Sequence, residues 1–155
     1  IISKLAKTYR ERVSVCLPRP MMYTKDYDFS FSGLKTAVLY KTKEFKKINS
    51  KIKTEFCHEI QQAIIDVLIK KTIKAAKDFR VKSIILGGGV TANRELRKQF
   101  GERIDKEIPD IKYLIPDTKY STDNAAMIAV AAYFDRNQKI KNFQNIKANG
   151  NLKIC

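Results

Sequence analysis

The stretch "SIILGGGVTANRELR", Ser83–Arg97, decides the fold class of this chain. A short run rich in β-branched residues ends in three consecutive glycines, and a segment with helical spacing follows at once. A strand that passes through a turn into a helix is the repeating unit of α/β folds. Glycine costs backbone entropy on folding, so three in a row indicate a place where another group comes close to the backbone.

Two further runs predict strands. Arg12–Leu17 alternates apolar and polar residues, as a strand does, and Lys112–Pro116 has the short apolar character of a buried strand. Val81–Leu86 is expected to be buried in the same way. Because helical segments separate these runs, we predict an α/β fold whose sheet is at least partly parallel, with ligands outside the carboxyl ends of its strands.

Apolar residues three or four positions apart predict the helices. The strongest pattern runs from Lys51 to Phe79, with apolar residues on one face and Lys and Glu on the other. The segment Phe29–Phe45 has similar spacing and follows a proline-containing loop, Pro18–Asp28. Within it, Leu34, Val38 and Leu39 are expected to share a face, and Ser30 or Ser32 to cap the helix. Further helices are predicted at Ile2–Ala6, Ala92–Ile108 and Tyr120–Phe134.

The charge balance predicts an anionic partner. The chain has 155 residues, enough for one domain with a core, and carries 31 Lys and Arg against 16 Asp and Glu, a net charge of +15. Nucleic acid is the first candidate partner and a phosphate-bearing small molecule the second. The alternative is a lysine-rich surface with no ligand.

The cysteines and the apolar runs predict the cellular compartment of the protein. Cys16, Cys57 and Cys155 are odd in number and lack the spacing of a metal knuckle, which is typical of free thiols in a reducing compartment such as the cytoplasm. The longest apolar run, Ala125–Phe134, is shorter than the roughly 20 residues that a membrane span needs. No membrane partner is therefore expected.

The glycine turn is the first candidate site. Backbone N–H groups at Gly87, Gly88 and Gly89 could surround a phosphate, and the following helix would add its positive end. Asn93 could offer its amide to a sugar hydroxyl or a base edge. The turn has neither the Gly-Lys-Ser/Thr of a Walker loop nor the GxGxxG of a dinucleotide fingerprint. A tight turn with Asn93 as a helix cap remains the alternative.

Asp123 is the second candidate. With Ser121 or Thr122 as the cap, it lies at the start of a helix, where a carboxylate either complements the helix dipole or binds a metal ion. If the sheet is parallel, Asp123 and the glycine turn would face one cleft. His58 is the single histidine of the chain, and we interpret it as a surface or core residue rather than a ligand.

Several separate stretches together resemble one known family. They are "LPRPM", "DFSFSGLKTAV", "GGGVTANRELR" and "STDNAAMIA", at Leu17–Met21, Asp28–Val38, Gly87–Arg97 and Ser121–Ala129. Their order and spacing are similar to those in the carboxyl-terminal half of the TsaD family, the bacterial tRNA threonylcarbamoyladenosine transferases. The resemblance runs from about Ile2 to Phe134.

The resemblance implies a fold. The family has the duplicated actin-like, sugar-kinase-like ATPase core (ASKHA), with a ligand cleft between two lobes and a mixed sheet flanked by helices. Residues 1–138 would then be most of the carboxyl-terminal lobe, and residues 139–155 a poorly defined tail. The amino-terminal half of the family pattern is expected to be missing from this chain.

The resemblance also implies an activity. Members of the family move the threonylcarbamoyl group of threonylcarbamoyl-AMP to the exocyclic amine of the tRNA adenosine beside the anticodon, with other subunits (TsaB-like and TsaE-like) as partners. A divalent metal, iron with zinc as the alternative, orients the donor. By position, Asp123 would be a metal ligand, Asn93 a contact to the nucleotide, and Gly88 and Gly89 the turn near the phosphate, while Gly87 falls where the family varies. Ser32 and Lys35 receive no role.

Other functions stay open at this point. The family's two histidine ligands lie in a His-x-x-x-His-type motif outside this chain, so the chain alone is expected to be inactive. The alternatives are a nucleotide-hydrolysing ATPase or kinase on the same core, a metallo-glycoprotease, and a non-enzymatic RNA-binding module. The glycoprotease is the weakest, because the chain lacks a general base such as the Glu of HExxH.

Overall fold

The computed structural model describes residues 1–9 and 14–137, together with Gln144 and Lys147. The chain forms two compact units, Ile1–Thr122 and Asp123–Cys155, which are described separately below. The helices of the described residues are α1 (Ile2–Ala6), α2 (Ser32–Lys43), α3 (Ser50–Asp78), α4 (Arg94–Glu107) and α5 (Ala125–Phe134). The strands are β1 (Ser83–Ile85) and β2 (Lys112–Leu114). Among these residues, no helix has both the length and the apolar character of a membrane span.

The two strands are parallel, as the sequence predicts. Ser83 pairs with Lys112 and Ile85 with Leu114, and α4 makes the crossover between the strands. The expectation that both strands are buried is wrong. In β1 only Ile84 is buried, and in β2 only Tyr113 is half-buried, because alternate side chains of a strand point to opposite faces.

Helix α3 connects two groups of buried apolar side chains. Its carboxyl-terminal half packs with α4 and β1 through Ile65, Ile69, Ile73, Ala76, Ile84, Leu86, Leu96, Phe100 and Ile104. Its amino-terminal half packs with α2 and the segment before the loop through Phe56, Ala63, Val15, Leu17 and Leu34. The long helix therefore packs against both groups of buried side chains in the first unit. The 3.6-residue period of its apolar residues, which predicted the helix, is also what places apolar side chains in both groups.

In the described part of the predicted strand Arg12–Leu17 the structure has no strand, and two glutamates of the predicted polar face of α3 are buried, for one reason. The described part, Ser14–Leu17, pairs with no strand, and its backbone N–H groups bind carboxylates of α3 instead. Glu55 Oε1 accepts from Ser14 N at 2.5 Å and from Val15 N at 2.6 Å. Glu59 Oε1 accepts from Leu17 N at 3.1 Å. Both glutamates are consequently buried, not exposed on a solvent face.

A buried lysine holds the loop Pro18–Asp28, which forms where the sequence predicts it. Lys71 is 2% exposed, and its Nζ donates to Thr24 Oγ1 at 2.7 Å, Asp26 Oδ1 at 2.8 Å and the Asp28 carbonyl at 2.5 Å. The hydrogen bond from Lys71 is the main cause that lowers the pKa of Asp26 from 3.8 to about 2. The loop is thus fixed from α3 by three bonds to one ammonium group.

The helix caps differ from those that the sequence predicts. Helix α2 begins after Phe31, whose side chain has no group that could cap it, and Ser30 and Ser32 contact each other through their hydroxyl oxygens at 3.0 Å. Leu34 of that helix is buried and Val38 half-buried, but Leu39 is 54% exposed and does not share their face. Helix α5 is capped by Asn124, whose Oδ1 accepts from Met127 N at 3.0 Å, rather than by Ser121 or Thr122.

The remaining sequence predictions concern thiols and the end of the chain. Cys16 is exposed and Cys57 buried, and both are free thiols as predicted. Cys155 and the predicted tail, residues 139–155, lie outside the described residues except for Gln144 and Lys147.

Candidate functional site

The glycine turn follows β1 directly. Gly88 has a φ of 85° and a ψ of 163°, a conformation that is essentially restricted to glycine. A short 3₁₀ turn, Gly89–Ala92, comes next, and Thr91 closes it by donating to the Gly88 carbonyl from its N–H at 3.1 Å and from Oγ1 at 2.7 Å. A Cβ at Gly87 or Gly88 would meet no atom within 4 Å, so this part of the backbone is open to an approaching group.

Gly89 differs from its two neighbours. A Cβ at Gly89 would lie 3.5 Å from Thr122 Cγ2, an ordinary van der Waals distance. The turn after β1 and the segment after β2 therefore approach each other closely at this point, as expected at the carboxyl edge of a parallel pair of strands.

Asn93 is the N-cap of α4, and its amide is held at both ends. Oδ1 accepts from Glu95 N at 3.0 Å and Leu96 N at 3.3 Å, and Nδ2 donates to Gln61 Oε1 at 2.9 Å. The helix cap fixes which end of the amide is oxygen, so the NH₂ group points away from the helix. An amide NH₂ carries two donors, and the bond to Gln61 uses one of them. Asn93 is therefore a helix cap, which is the alternative role that the sequence predicts for it. Its amide nitrogen still has one N–H donor for a ligand.

A cavity of about 670 Å³ opens beside this turn. Apolar side chains from α3, the 3₁₀ turn and α4 form much of its lining, including Ile60, Ile64, Val90 and Leu96, while Gly89, Gln61, Asn93 and Ser3 also face it. An apolar cavity with a few convergent polar groups is the usual form of a small-molecule site. Gly89 and Asn93, predicted as site residues, thus share one cavity, and Gly88 precedes it in the same turn.

Two residues of this region were not predicted from the sequence. Gln61 is 7% exposed and interrupts the apolar stripe of α3, and a polar residue at such a position is the signal that could have identified it. Arg97 donates to the Thr91 carbonyl, to the Pro116 carbonyl at 2.9 Å and to Ser121 Oγ at 3.0 Å. Its place within "NRELR" carries no pattern that distinguishes it from a solvent-exposed arginine.

Asp123 begins the second unit. It is exposed and immediately precedes Asn124, the residue that caps α5. Asp123 is therefore not the cap itself, and the dipole alternative places it one residue outside the helix. That Asp123 and the glycine turn face one cleft stays a prediction.

A complete metal site is not formed by the described residues. Residues 1–9 and 14–137, with Gln144 and Lys147, contain no group of three or more His, Cys, Asp and Glu side chains that could hold a metal ion. Transition metals are usually held by several protein ligands in a fixed geometry, so Asp123 alone does not fit that requirement. His58 lies on α3 with its ring centroid 5.6 Å from that of Tyr9, which agrees with its interpretation as a packing residue.

Comparisons with known proteins agree with the sequence motifs. Residues 1–130 match the family model for TsaD, tRNA N6-adenosine threonylcarbamoyltransferase. A protein of that name from Thermosipho africanus is 47% identical over 153 residues, which cover 99% of this chain and 45% of the relative. Those from Thermosipho melanesiensis and Desulfotalea psychrophila are 44% and 46% identical, over 99% and 85% of this chain and 45% and 39% of the relatives.

The chain spans less than half the length of these curated relatives. The family match nevertheless includes the glycine turn, Asn93, the 670 Å³ cavity and Asp123. On the family model and the identity to its relatives, the chain belongs to the TsaD family of tRNA N6-adenosine threonylcarbamoyltransferases.

Proposed function

We propose that this chain supplies the adenylate-binding part of a tRNA N6-adenosine threonylcarbamoyltransferase that acts in the cytoplasm. The observation that carries the proposal is the cavity of about 670 Å³ onto which Gly89, Gln61 and Asn93 open together. Its apolar walls suit a purine ring, and the Asn93 amide has a donor for a ribose hydroxyl or a base edge. The open backbone at Gly88 suits a phosphate.

The reaction proposed is acyl transfer from threonylcarbamoyl-AMP to tRNA. The exocyclic amine of the adenosine beside the anticodon forms a bond to the carbamoyl carbon and loses a proton. The bond between that carbon and the phosphate oxygen breaks, and AMP leaves with the electron pair. The residues of this chain would bind and orient the AMP portion, which is substrate before transfer and product after it.

Further parts of the proposal concern tRNA, metal and the whole assembly. The net charge of +15 supports a tRNA partner, because Lys and Arg side chains bind phosphates with release of counterions. We assign residues 1–138 to the carboxyl-terminal lobe of an actin-like core, and Asp123 as one ligand of an iron ion, or of zinc in its place. TsaB-like and TsaE-like subunits would be protein partners.

A chimera tests the proposed activity directly. In the Thermosipho africanus relative, the stretch that aligns with this chain is replaced by the chain itself. The folded chimera, together with the relative's TsaB-like and TsaE-like subunits, is given threonylcarbamoyl-AMP and tRNA, and the modified adenosine is measured by mass spectrometry, with the unaltered relative as the positive control. Product is expected. A folded chimera that binds tRNA and forms no product would contradict the transferase and favour the RNA-binding module.

Substitution of Asn93 separates its role as a cap from its role toward a ligand. Asn93→Ser keeps a good N-cap for α4 but removes the amide donor, whereas Asn93→Ala removes both. In the chimera we expect Asn93→Ser to raise the KM for threonylcarbamoyl-AMP about 5-fold, the loss of roughly one hydrogen bond, with a Tm lowered only by the lost bond to Gln61. Asn93→Ala should add a loss of about 1 kcal/mol in the free energy of unfolding. A wild-type KM in Asn93→Ser would leave Asn93 as a cap only.

Metal content tests the assignment of Asp123. The purified chimera is expected to contain bound iron or zinc by elemental analysis, and Asp123→Ala to contain much less, because a site with few ligands loses affinity when one is removed. Asp110→Ala is the matched control, since Asp110 is an exposed carboxylate in the turn after α4. Equal metal content in the two variants would show that Asp123 is not a ligand.

A further inference from the structure

Arg97 joins two segments that are far apart in the chain. It lies on the first turns of α4, and its guanidinium donates from Nε to the Thr91 carbonyl, from Nη1 to the Pro116 carbonyl and from Nη2 to Ser121 Oγ. Thr91 belongs to the turn after β1, and Pro116 and Ser121 belong to the segment after β2. Thr91 and Ser121 are 6% and 2% exposed, so these contacts are made in the interior of the first unit.

The ladder between the two strands is short. Beyond the three paired positions of β1 and β2, the Leu86 N–H donates to the Leu114 carbonyl at 3.1 Å. The backbones then leave the ladder, and the Arg97 side chain bridges the segments that follow. A guanidinium has five N–H donors in a fixed plane and can serve three acceptors in different directions, which an ammonium on a flexible chain does less well.

One residue separates this guanidinium from the glycine turn. Thr91, whose carbonyl accepts from Arg97, itself donates twice to the Gly88 carbonyl. The bond to Arg97 therefore helps to hold the turn in which Gly88 has its positive φ. On the other side, the Tyr113 hydroxyl of β2 donates to the Arg97 carbonyl at 3.2 Å and fixes the backbone of this residue.

We propose that Arg97 is a positioning residue of the adenylate site, whose guanidinium sets the separation between the Gly88–Thr91 turn and the Pro116–Ser121 segment. This inference rests on the proposed function, because the Gly88–Thr91 turn is the part of that site assigned to the phosphate. Arg97 itself touches no bound group in this role. Its effect on the substrate is transmitted through Thr91, while Pro116 and Ser121 hold the guanidinium in place.

The first test compares arginine variants in the chimera. Arg97→Ala is expected to raise the KM for threonylcarbamoyl-AMP about 10-fold with a smaller change in kcat, because a displaced turn binds the substrate less well. Ethylguanidinium added to this variant should restore part of the loss. Arg103→Ala is the control on the same helix, where Arg103 pairs with Glu107 at 2.6 Å. A lower Tm with a wild-type KM would overturn the proposal.

Two further measurements test the proposal if Arg97→Ala fails to fold or if the chimera has no activity. Ser121→Ala removes a single acceptor, and we expect about a 3-fold higher KM, the loss of part of one hydrogen bond. In the 155-residue chain, Arg97→Lys should speed amide hydrogen exchange in both segments, residues 88–91 and 117–121. Unchanged KM in Ser121→Ala, or unchanged exchange in either segment, overturns the role of Arg97. An inactive unsubstituted chimera with the expected exchange result would instead contradict the proposed function.

Discussion

Gly88→Ala is expected to lower kcat/KM for threonylcarbamoyl-AMP in the chimera, whereas Gly87→Ala leaves it unchanged. The backbone at Gly88 has a φ of 85° and a ψ of 163°, and a Cβ there is strained whatever the surrounding space. Strain in this region costs of order 1–3 kcal/mol, which corresponds to roughly 5- to 150-fold in an equilibrium constant.

The loss should appear in binding because the turn can escape the strain. An alanine at Gly88 is free to relax into another conformation, and the free energy of returning to the original turn is then subtracted from the binding of the phosphate.

Gly87→Ala is a matched control in the neighbouring position. A Cβ at Gly87 meets nothing within 4 Å, and its backbone lies outside the positive-φ range. Steady-state kinetics of the two variants, with Tm values to show that both are folded, decide the prediction. Equal kcat/KM values would mean that the turn at Gly88 does not approach the substrate. The phosphate would then have to bind at another part of the cavity.

The glycine turn could be predicted from the sequence because its cause is local. A strand, a turn and a helix follow one another within Ser83–Arg97, and each is recognisable from its own residues. The parallel pairing of β1 and β2 follows from the crossover helix between them. The capping role of Asn93 could be predicted for the same reason, because a helix cap depends on residues within the first helical turn.

The contacts that complete this region could not be predicted, because they join distant residues. Gln61 meets Asn93 across 32 positions, and Arg97 meets Ser121 across 24. Periodicity assigns a residue to a face of its own helix, but does not identify the group on the other side. The buried glutamates of α3 are the clearest case, since "KTEFCHEI" reads as a helix with two exposed carboxylates.

Val15 and Leu17 show which features of a segment its alternating pattern can predict. Both are 3% exposed and Cys16 between them is exposed, which is the alternation that the sequence predicts for a strand. The pattern was therefore correct about which side chains are buried. It was wrong about the hydrogen-bond partner of the backbone, because two carboxylates on α3 take the place of a neighbouring strand.

Glu55→Leu is expected to lower the free energy of unfolding of the 155-residue chain more than a typical surface substitution. Glu55 Oε1 accepts from Ser14 N, Ser14 Oγ and Val15 N at 2.5–2.6 Å, and leucine leaves the two backbone N–H groups without an acceptor. Val15 is buried whereas Ser14 is exposed to water, and a buried N–H without a partner costs about 1–3 kcal/mol, so a loss of about 2 kcal/mol is expected. Urea unfolding followed by circular dichroism measures it.

Glu55→Gln is the matched variant, because its amide oxygen can accept the same bonds as a neutral group. Hydrogen bonds to a charged acceptor are about twice as strong as neutral ones, so the loss should be about half that of leucine. A leucine variant as stable as the wild type would mean that another acceptor, or water, satisfies Ser14 and Val15. The segment Ser14–Leu17 would then be held by its apolar side chains alone.

The same carboxylate makes the stability depend on pH in a defined direction. Burial raises the pKa of Glu55, but the bonds from Ser14 and Val15 outweigh it, and the pKa is lowered from its ordinary value of 4.5. A carboxyl with a lower pKa in the folded state stabilises that state fully above the unfolded pKa, and the contribution is lost as the pH falls. The difference in unfolding free energy between wild type and Glu55→Gln should therefore be constant above about pH 5.5, one unit above that ordinary value, and shrink below pH 4.5. Because all other carboxylates titrate alike in both proteins, a difference that stays constant into acid would show that the Glu55 carboxylate is not held by these N–H groups.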